Sequence, residues 1–208
     1  VERELYVEGN YHTARMVDGT VRSVTHLWTY FDGIRTWVNL PSGYWSEDDM
    51  DKRMDIWNES MNETIAHNEQ VISSLTLDDF VPHIYEMRDG GLISHPITNE
   101  MCREFSASAD SAGRGFTTIM TIRMLGEDVS LEVDHITSSW AHVYSSKDTL
   151  VLAEPANDWW WFWRNSGWED ATNIHSFDIS DANRTTYSSS GRVDGTVQDQ
   201  FSISEYDG

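Results

Sequence analysis

The tightest constraint on this chain is the two-residue alternation that fills residues 3–27 and returns after residue 114. In "RELYVEGNYHTARMVDGTVRSVTHL" side chains alternate in the period of a half-buried strand, and turn signals fall at Gly9-Asn10 and Asp18-Gly19. That spacing predicts three short strands near residues 3–8, 11–17 and 20–27. Beyond residue 114, "FTTIMTIRML", "VSLEVDHIT", "WAHVYSS", "TLVLAEP", "TNIHSFDI" and "RTTYSSSGRV" are each strand-length and rich in β-branched and aromatic residues. Gly, Asp, Asn, Ser or Lys-Asp turns separate them. Many short strands with short connections make an antiparallel, all-β architecture.

Between the two β regions the period changes. From Ser46, read as an N-cap with an acidic first turn, Met50, Met54, Trp57, Met61, Ile65, Ile72 and Leu75 recur at spacings of three, four or seven. The pattern predicts one amphipathic helix over about residues 47–74 with that stripe as its packing face. The following "TLDDFVPHIYEMRDGGLISHPITNEMCREFSASADSAGRG" reads as irregular. Residues 28–114 are therefore expected to be one long insertion carrying a helix.

Composition removes several functions. The chain has 208 residues, 39% of them hydrophobic, enough for a core. Its longest apolar run is five aromatics, far short of the roughly 20 residues a spanning helix needs. With 35 acidic and 14 basic residues the formal charge is −21, which argues against nucleic acid as a partner. An acidic surface with two lysines, Lys52 and Lys147, fits an extracellular or salt-adapted protein. The one cysteine, Cys102, excludes an internal disulfide and a multi-cysteine metal site, and its pairing beyond these residues stays open. The chain starts at Val1 and ends on "FSISEYDG", a strand followed by a turn, so it reads as a piece of a longer protein.

The segments "ELYVEGNYHTARMVDGTVRSVTH", "VYSSKDTLVLAEP", "TNIHSFDIS" and "SSSGRVDGTVQDQFSISEYDG" resemble the bacterial secreted proteins with a C-terminal β-propeller domain, distantly related to WD40 propellers. The helix and its "TLDDFVPHIYE" tail are similar as well. The resemblance implies a secreted or cell-surface location and carries no catalytic motif to transfer. It also implies a phasing in which residues 1–208 form a partial propeller. Residues 3–8 are then the outer strand of one blade. Residues 11–17, 20–27, 115–124 and 129–137 make a complete four-stranded blade. Residues 140–146, 149–155, 172–179 and 184–192 make the next, and 199–206 begin a third. Closure needs at least four blades, so the remaining blades would belong to the parent chain.

On that phasing, the insertion and the loop over residues 156–171 emerge on one face. The loop holds "WWWFW", so Trp159, Trp160, Trp161, Trp163 and Trp168 are candidate ligand contacts. Two uses fit this run: packing against the insertion helix, or contact with a protein or glycan through exposed rings. Asp194, Asp199, Glu205 and Asp207 surround the expected inner strand of the third blade and could hold calcium; no other cofactor is expected. The eight histidines are spread along the chain with no HExxH or His-x-His spacing, and no Ser/His/Asp signature stands out. These readings favour a binding or scaffolding module. The alternative is a hydrolase or other enzyme whose active site lies at the propeller channel and is completed by residues outside this chain.

Overall fold

The computed structural model describes residues 4–95, 105–107, 113, 115–125, 131–156 and 170–206. Twelve strands are present: β1 (Glu4–Val7), β2 (Asn10–Val17), β3 (Thr20–Trp28), β4 (Ile84–Arg88), β5 (Gly91–His95), β6 (Phe105–Ala107), β7 (Gly115–Arg123), β8 (Leu131–Ser138), β9 (His142–Ser145), β10 (Thr149–Pro155), β11 (Ala171–Asp178) and β12 (Thr186–Asp194). They form three sheets, ordered β1-β4-β5, β2-β3-β7-β8-β6 and β12-β11-β10-β9. One long helix, α1, spans Met50–Ser74. By internal contacts the chain divides into two compact units, residues 30–80 and everything else.

The larger unit is built around the second sheet. β3 continues into β7 across the sheet from Thr20↔Arg123 to Trp28↔Gly115, and β7 into β8 from Gly115↔Ser138 to Ile122↔Leu131, all antiparallel. Alternation along β7 sends Ile119 to one face and Met120 to the other, and both are buried. Ile119 joins Val24 and Ile136 in a cluster with Val143, Leu150, Leu152 and Phe177 of the third sheet. Met120 and Val133 pack instead with Ile84, flanked by Val7, Ile122 and Leu131, so the opposite face meets the first sheet. The second sheet is thus the filling of three stacked layers.

The turns follow from their residues. Asp18 and Gly19, at φ 49° and 80°, close the β2–β3 hairpin with both central residues in the left-handed region, as a two-residue loop requires. Asp89 and Gly90, at φ 52° and 76°, do the same between β4 and β5. Gly115 has a different duty. A Cβ there would run into the Leu27 carbonyl oxygen and come within 2.9 Å of His26 Nε2, so β3 and β7 can lie side by side only over a glycine.

Both four-strand sets implied by the resemblance each occupy one sheet, in chain order. Three expectations are corrected. The stretch after the helix is not irregular throughout: residues 84–95 make a hairpin that pairs with β1, and residues 105–107 add a short parallel strand beside β8. Residues 199–206 do not make a strand. Asp199 Oδ1 accepts from Phe201 N, Ser202 N and Ser202 Oγ, closing a turn that curls Gln200–Ser202 into a single 3-10 turn.

The helix is the third correction, within the smaller unit. Its N-cap is Asp49, whose Oδ1 accepts from Asp51 N (3.1 Å) and Lys52 N (3.4 Å). Ser46 instead ends a 3-10 turn, Tyr44–Ser46, and donates to Gly43 O. The buried face is rotated away from the expected stripe. Ser60 and Thr64 are buried, Trp57 and Met61 are half-buried, and Met54 (55% exposed) and Ile65 face out. The cause is the chain before the helix, which returns along this face. Asn68 Oδ1 accepts from Arg35 N and its Nδ2 donates to Arg35 O, both at 2.8 Å, while His67 Nε2 meets Gly33 O and the Arg53 guanidinium donates to Glu47 O. Thr64 satisfies its own hydroxyl on Ser60 O at 2.8 Å.

The cap assignment is directly measurable. Asp49→Ala should destabilise the smaller unit by about 1 kcal/mol in urea unfolding, and Ser46→Ala should change it by less than about half that.

Candidate functional site

At one end of the second and third sheets, the starts of β2, β7, β9 and β11 meet the ends of β3, β8, β10 and β12. Both long excursions of the chain leave from this end, one after Trp28 and one after Pro155. Only Ser139–Ala141 separates β8 from β9, and that short connection folds the third sheet against the second. It also brings together residues that lie far apart in sequence.

The base of this site is polar and buried. His26 Nδ1 is 3.1 Å from Thr117 Oγ1, which in turn lies 2.6 Å from Ser138 Oγ. Beside them Glu154, wholly buried, accepts from Ser139 N at 2.6 Å and meets His175 Nε2 at 3.2 Å. His175 Nδ1 lies 2.5 Å from Ser190 Oγ, and Tyr187 donates its hydroxyl to the same oxygen at 2.8 Å. With the Glu154 carboxylate accepting, His175 donates from Nε2 and receives the Ser190 proton at Nδ1. A buried carboxylate is stable only with such partners, and this chain across β12, β11 and β10 provides them.

Two indoles cover the base. Trp28 stands edge-on to His26 with centroids 4.7 Å apart, and Trp140 lies 5.7 Å from His26 and 4.5 Å from His12. Trp28 is 47% exposed and Trp140 40%, so each ring has one side on the histidines and one toward solvent. Burial pushes the His26 imidazole down to about 4 against the pull of the Glu154 carboxylate, with His12 adding to the drop. His12 is itself lowered by burial and by His142. Both rings are therefore neutral near pH 7. His26 Nε2, facing the bare backbone of Gly115, has no hydrogen-bond partner among the described residues. The result is an uncharged aromatic shelf with a rigid hydrogen-bonded floor in an otherwise strongly acidic chain.

Among the described residues, the acidic candidates singled out by sequence do not belong to this shelf. Trp159, Trp160, Trp161, Trp163 and Trp168 lie outside the described residues, although the strand ends that carry their loop, Pro155 and Ala171, sit at this same end. Cys102 and Asp207 also lie outside them. Asp194 ends β12 opposite Ala171, Asp199 caps its own turn, and Glu205 accepts from Thr149 Oγ1 at 3.0 Å. Among the described residues no three His, Cys, Asp or Glu side chains are grouped to hold a metal. The expectation that the histidines stay apart is corrected: His12, His26 and His142 gather here from β2, β3 and β9. Their signal in the sequence is position near strand ends, which becomes visible only once the strands are paired in register.

A family model described as a beta propeller domain matches residues 1–208. No curated protein and no solved structure matches the chain.

Acid should loosen this region in a predictable way. His26 and His135, the latter bonded to Thr118 Oγ1 and stacked on Phe105, are both held at about 4 by burial, below the unfolded value near 6.5. The folded state binds fewer protons, so their contribution is complete above pH 6.5 and is lost as the pH falls through 4. His26→Gln should therefore flatten the fall of stability over that window by about 1–3 kcal/mol relative to the unsubstituted protein, measured by urea unfolding at each pH.

Proposed function

The chain belongs to the β-propeller domain family, and from that premise we propose that it is a binding module whose ligand docks on the aromatic shelf at the shared strand ends. The sheets β2-β3-β7-β8 and β9-β10-β11-β12 are adjoining blades in this reading, and their common end is the decorated face. One observation carries it: Trp28 and Trp140 stand half-exposed on a buried floor of His26, Thr117 and Ser138. Large rings that are fixed from below and open above offer contact area at little entropic cost, which is what recognition sites use. A protein side chain or the apolar face of a sugar suits a neutral shelf. Trp159, Trp160, Trp161, Trp163 and Trp168 are proposed as further ligand contacts on the ground of their aromatic side chains alone.

No helix among the described residues is long and apolar enough to cross a membrane. The surface charge of −21 with two lysines supports a secreted or cell-surface protein, as does the resemblance to secreted propellers. The hydrolase alternative draws on one geometry, the Ser190–His175–Glu154 chain, in which a hydroxyl, an imidazole and a carboxylate are linked in order. Ser190 sits on β12, and its oxygen already receives the Tyr187 hydroxyl.

The test is a screen of the protein against an oligosaccharide array and a displayed-peptide library, followed by the Trp28→Ala/Trp140→Ala double variant. Loss of about tenfold or more in affinity, with a melting temperature lowered by no more than a few degrees, is the expected result. Unchanged affinity would move the contact surface elsewhere. Covalent labelling of Ser190 by a fluorophosphonate would replace the binding reading with the hydrolase one.

A further inference from the structure

A second site lies between the second and third sheets, away from the indole shelf. Here a cavity of about 440 Å³ is walled by Val24, Val143 and Leu150, with Thr13, Arg15 and Arg22 along one side. Its volume is within the range of small-molecule sites. Arg15 of β2 and Arg22 of β3 are direct cross-strand partners, so two guanidinium groups stand opposite one another on the cavity side of the ladder. Like charges in that position repel and destabilise a hairpin unless something offsets them, and the Glu132, Asp181 and Asp178 carboxylates supply part of that offset at Arg22.

The two arginines are only partly used by the protein. Arg15 Nη1 donates to the Ser145 carbonyl oxygen, and the rest of its group is exposed. Arg22 is 6% exposed, and its Nη2 donates to the Asp181 and Arg184 carbonyl oxygens. Those acceptors are neutral. Among the described residues Arg22 Nε is buried without a partner, and a charged donor left in that condition is costly. A protein with 35 acidic residues against 14 basic ones has placed two of its cations along one hollow with apolar walls.

We propose that this cavity binds a small carboxylate carried on an apolar body. The carboxylate accepts from N–H groups of Arg15 and Arg22 that line the cavity and offsets the repulsion between the two cations. Its apolar part fills the space lined by Val24, Val143 and Leu150. Phe201, exposed at the same cavity, closes over the body of the ligand. A bare dianion such as phosphate matches the arginines but leaves the apolar walls empty.

Phenylacetate is a probe with both halves, 2-phenylethanol supplies the body without the charge, and inorganic phosphate the charge without the body. Titration calorimetry with the protein should show phenylacetate binding in the millimolar range, as expected for a ligand of this size. The alcohol and phosphate should each bind about tenfold more weakly or worse. Arg15→Gln, at an exposed position, should weaken phenylacetate by about tenfold, and Arg22→Lys, which keeps the charge and loses the guanidinium fork, should do the same. Absence of phenylacetate binding at tens of millimolar would overturn the proposal. Equal binding of the alcohol, tighter binding of phosphate, or unchanged affinity in both variants would overturn it too. None of these outcomes bears on the indole shelf, whose test uses different residues and different ligands.

Discussion

Burial of the second sheet on both faces is the constraint from which the rest of the larger unit follows. A sheet with one wet face can alternate polar and apolar residues. β7 cannot: Ile119 and Met120 are adjacent in sequence, point to opposite sides and are both buried. Each face needs a cover, so the third sheet packs on one side and the hairpin β4–β5 with β1 on the other. The strand ends converge because β8 and β9 are joined by three residues. Both the indole shelf and the arginine-lined cavity are products of that arrangement.

The interface between the second and third sheets is apolar at its centre and polar toward its ends. Val24, Ile119, Leu150, Leu152 and Phe177 fill the middle. At one end Glu154, His175 and Ser190 are linked, and at the other Thr121 meets Thr185 at 2.8 Å while Glu132 accepts from Thr185 N. Such buried polar links add less net stability than their number implies, because each replaces bonds to water. What they contribute is register: a slip of one residue would leave a buried carboxylate or imidazole unpaired. Among the described residues few buried side-chain atoms stay unpaired; His26 Nε2 lies beneath the indole shelf, and Arg22 Nε belongs to a residue that lines the cavity.

The sequence was most legible where periodicity and turn chemistry agree. Both four-strand sets could be read because alternation, β-branched residues and Asp-Gly or Lys-Asp turns point the same way in each. The hairpin at residues 84–95 carries the same Asp-Gly signal, but Pro82, Pro96 and the second glycine, Gly91, masked it as irregular chain. At residues 199–206 alternation pointed to a strand, and the local side-chain bonds of Asp199 outweighed it. The helix was visible from its apolar period, yet its buried face was set by Ser60, Thr64 and Asn68, small and polar residues that a hydrophobic stripe does not reveal. The shelf was legible least of all. Trp28, Trp140, His12 and His26 are ordinary residues at or beside strand ends until pairing brings them into contact.

The pairing of β3 with β7 joins Trp28 to Gly115, so the central ladder of the molecule must close a very long loop before it gains a single hydrogen bond. For a structureless connection the entropic cost grows only with the logarithm of length, but search time grows with it as well. Here the excursion is not structureless: residues 30–80 form a compact unit, and β4 with β5 makes a local hairpin. If these form first, the free chain that remains between β3 and β7 is a fraction of its covalent length. The excursion then acts as a folding chaperone in cis, converting the most distant strand pairing among the described residues into one between near neighbours.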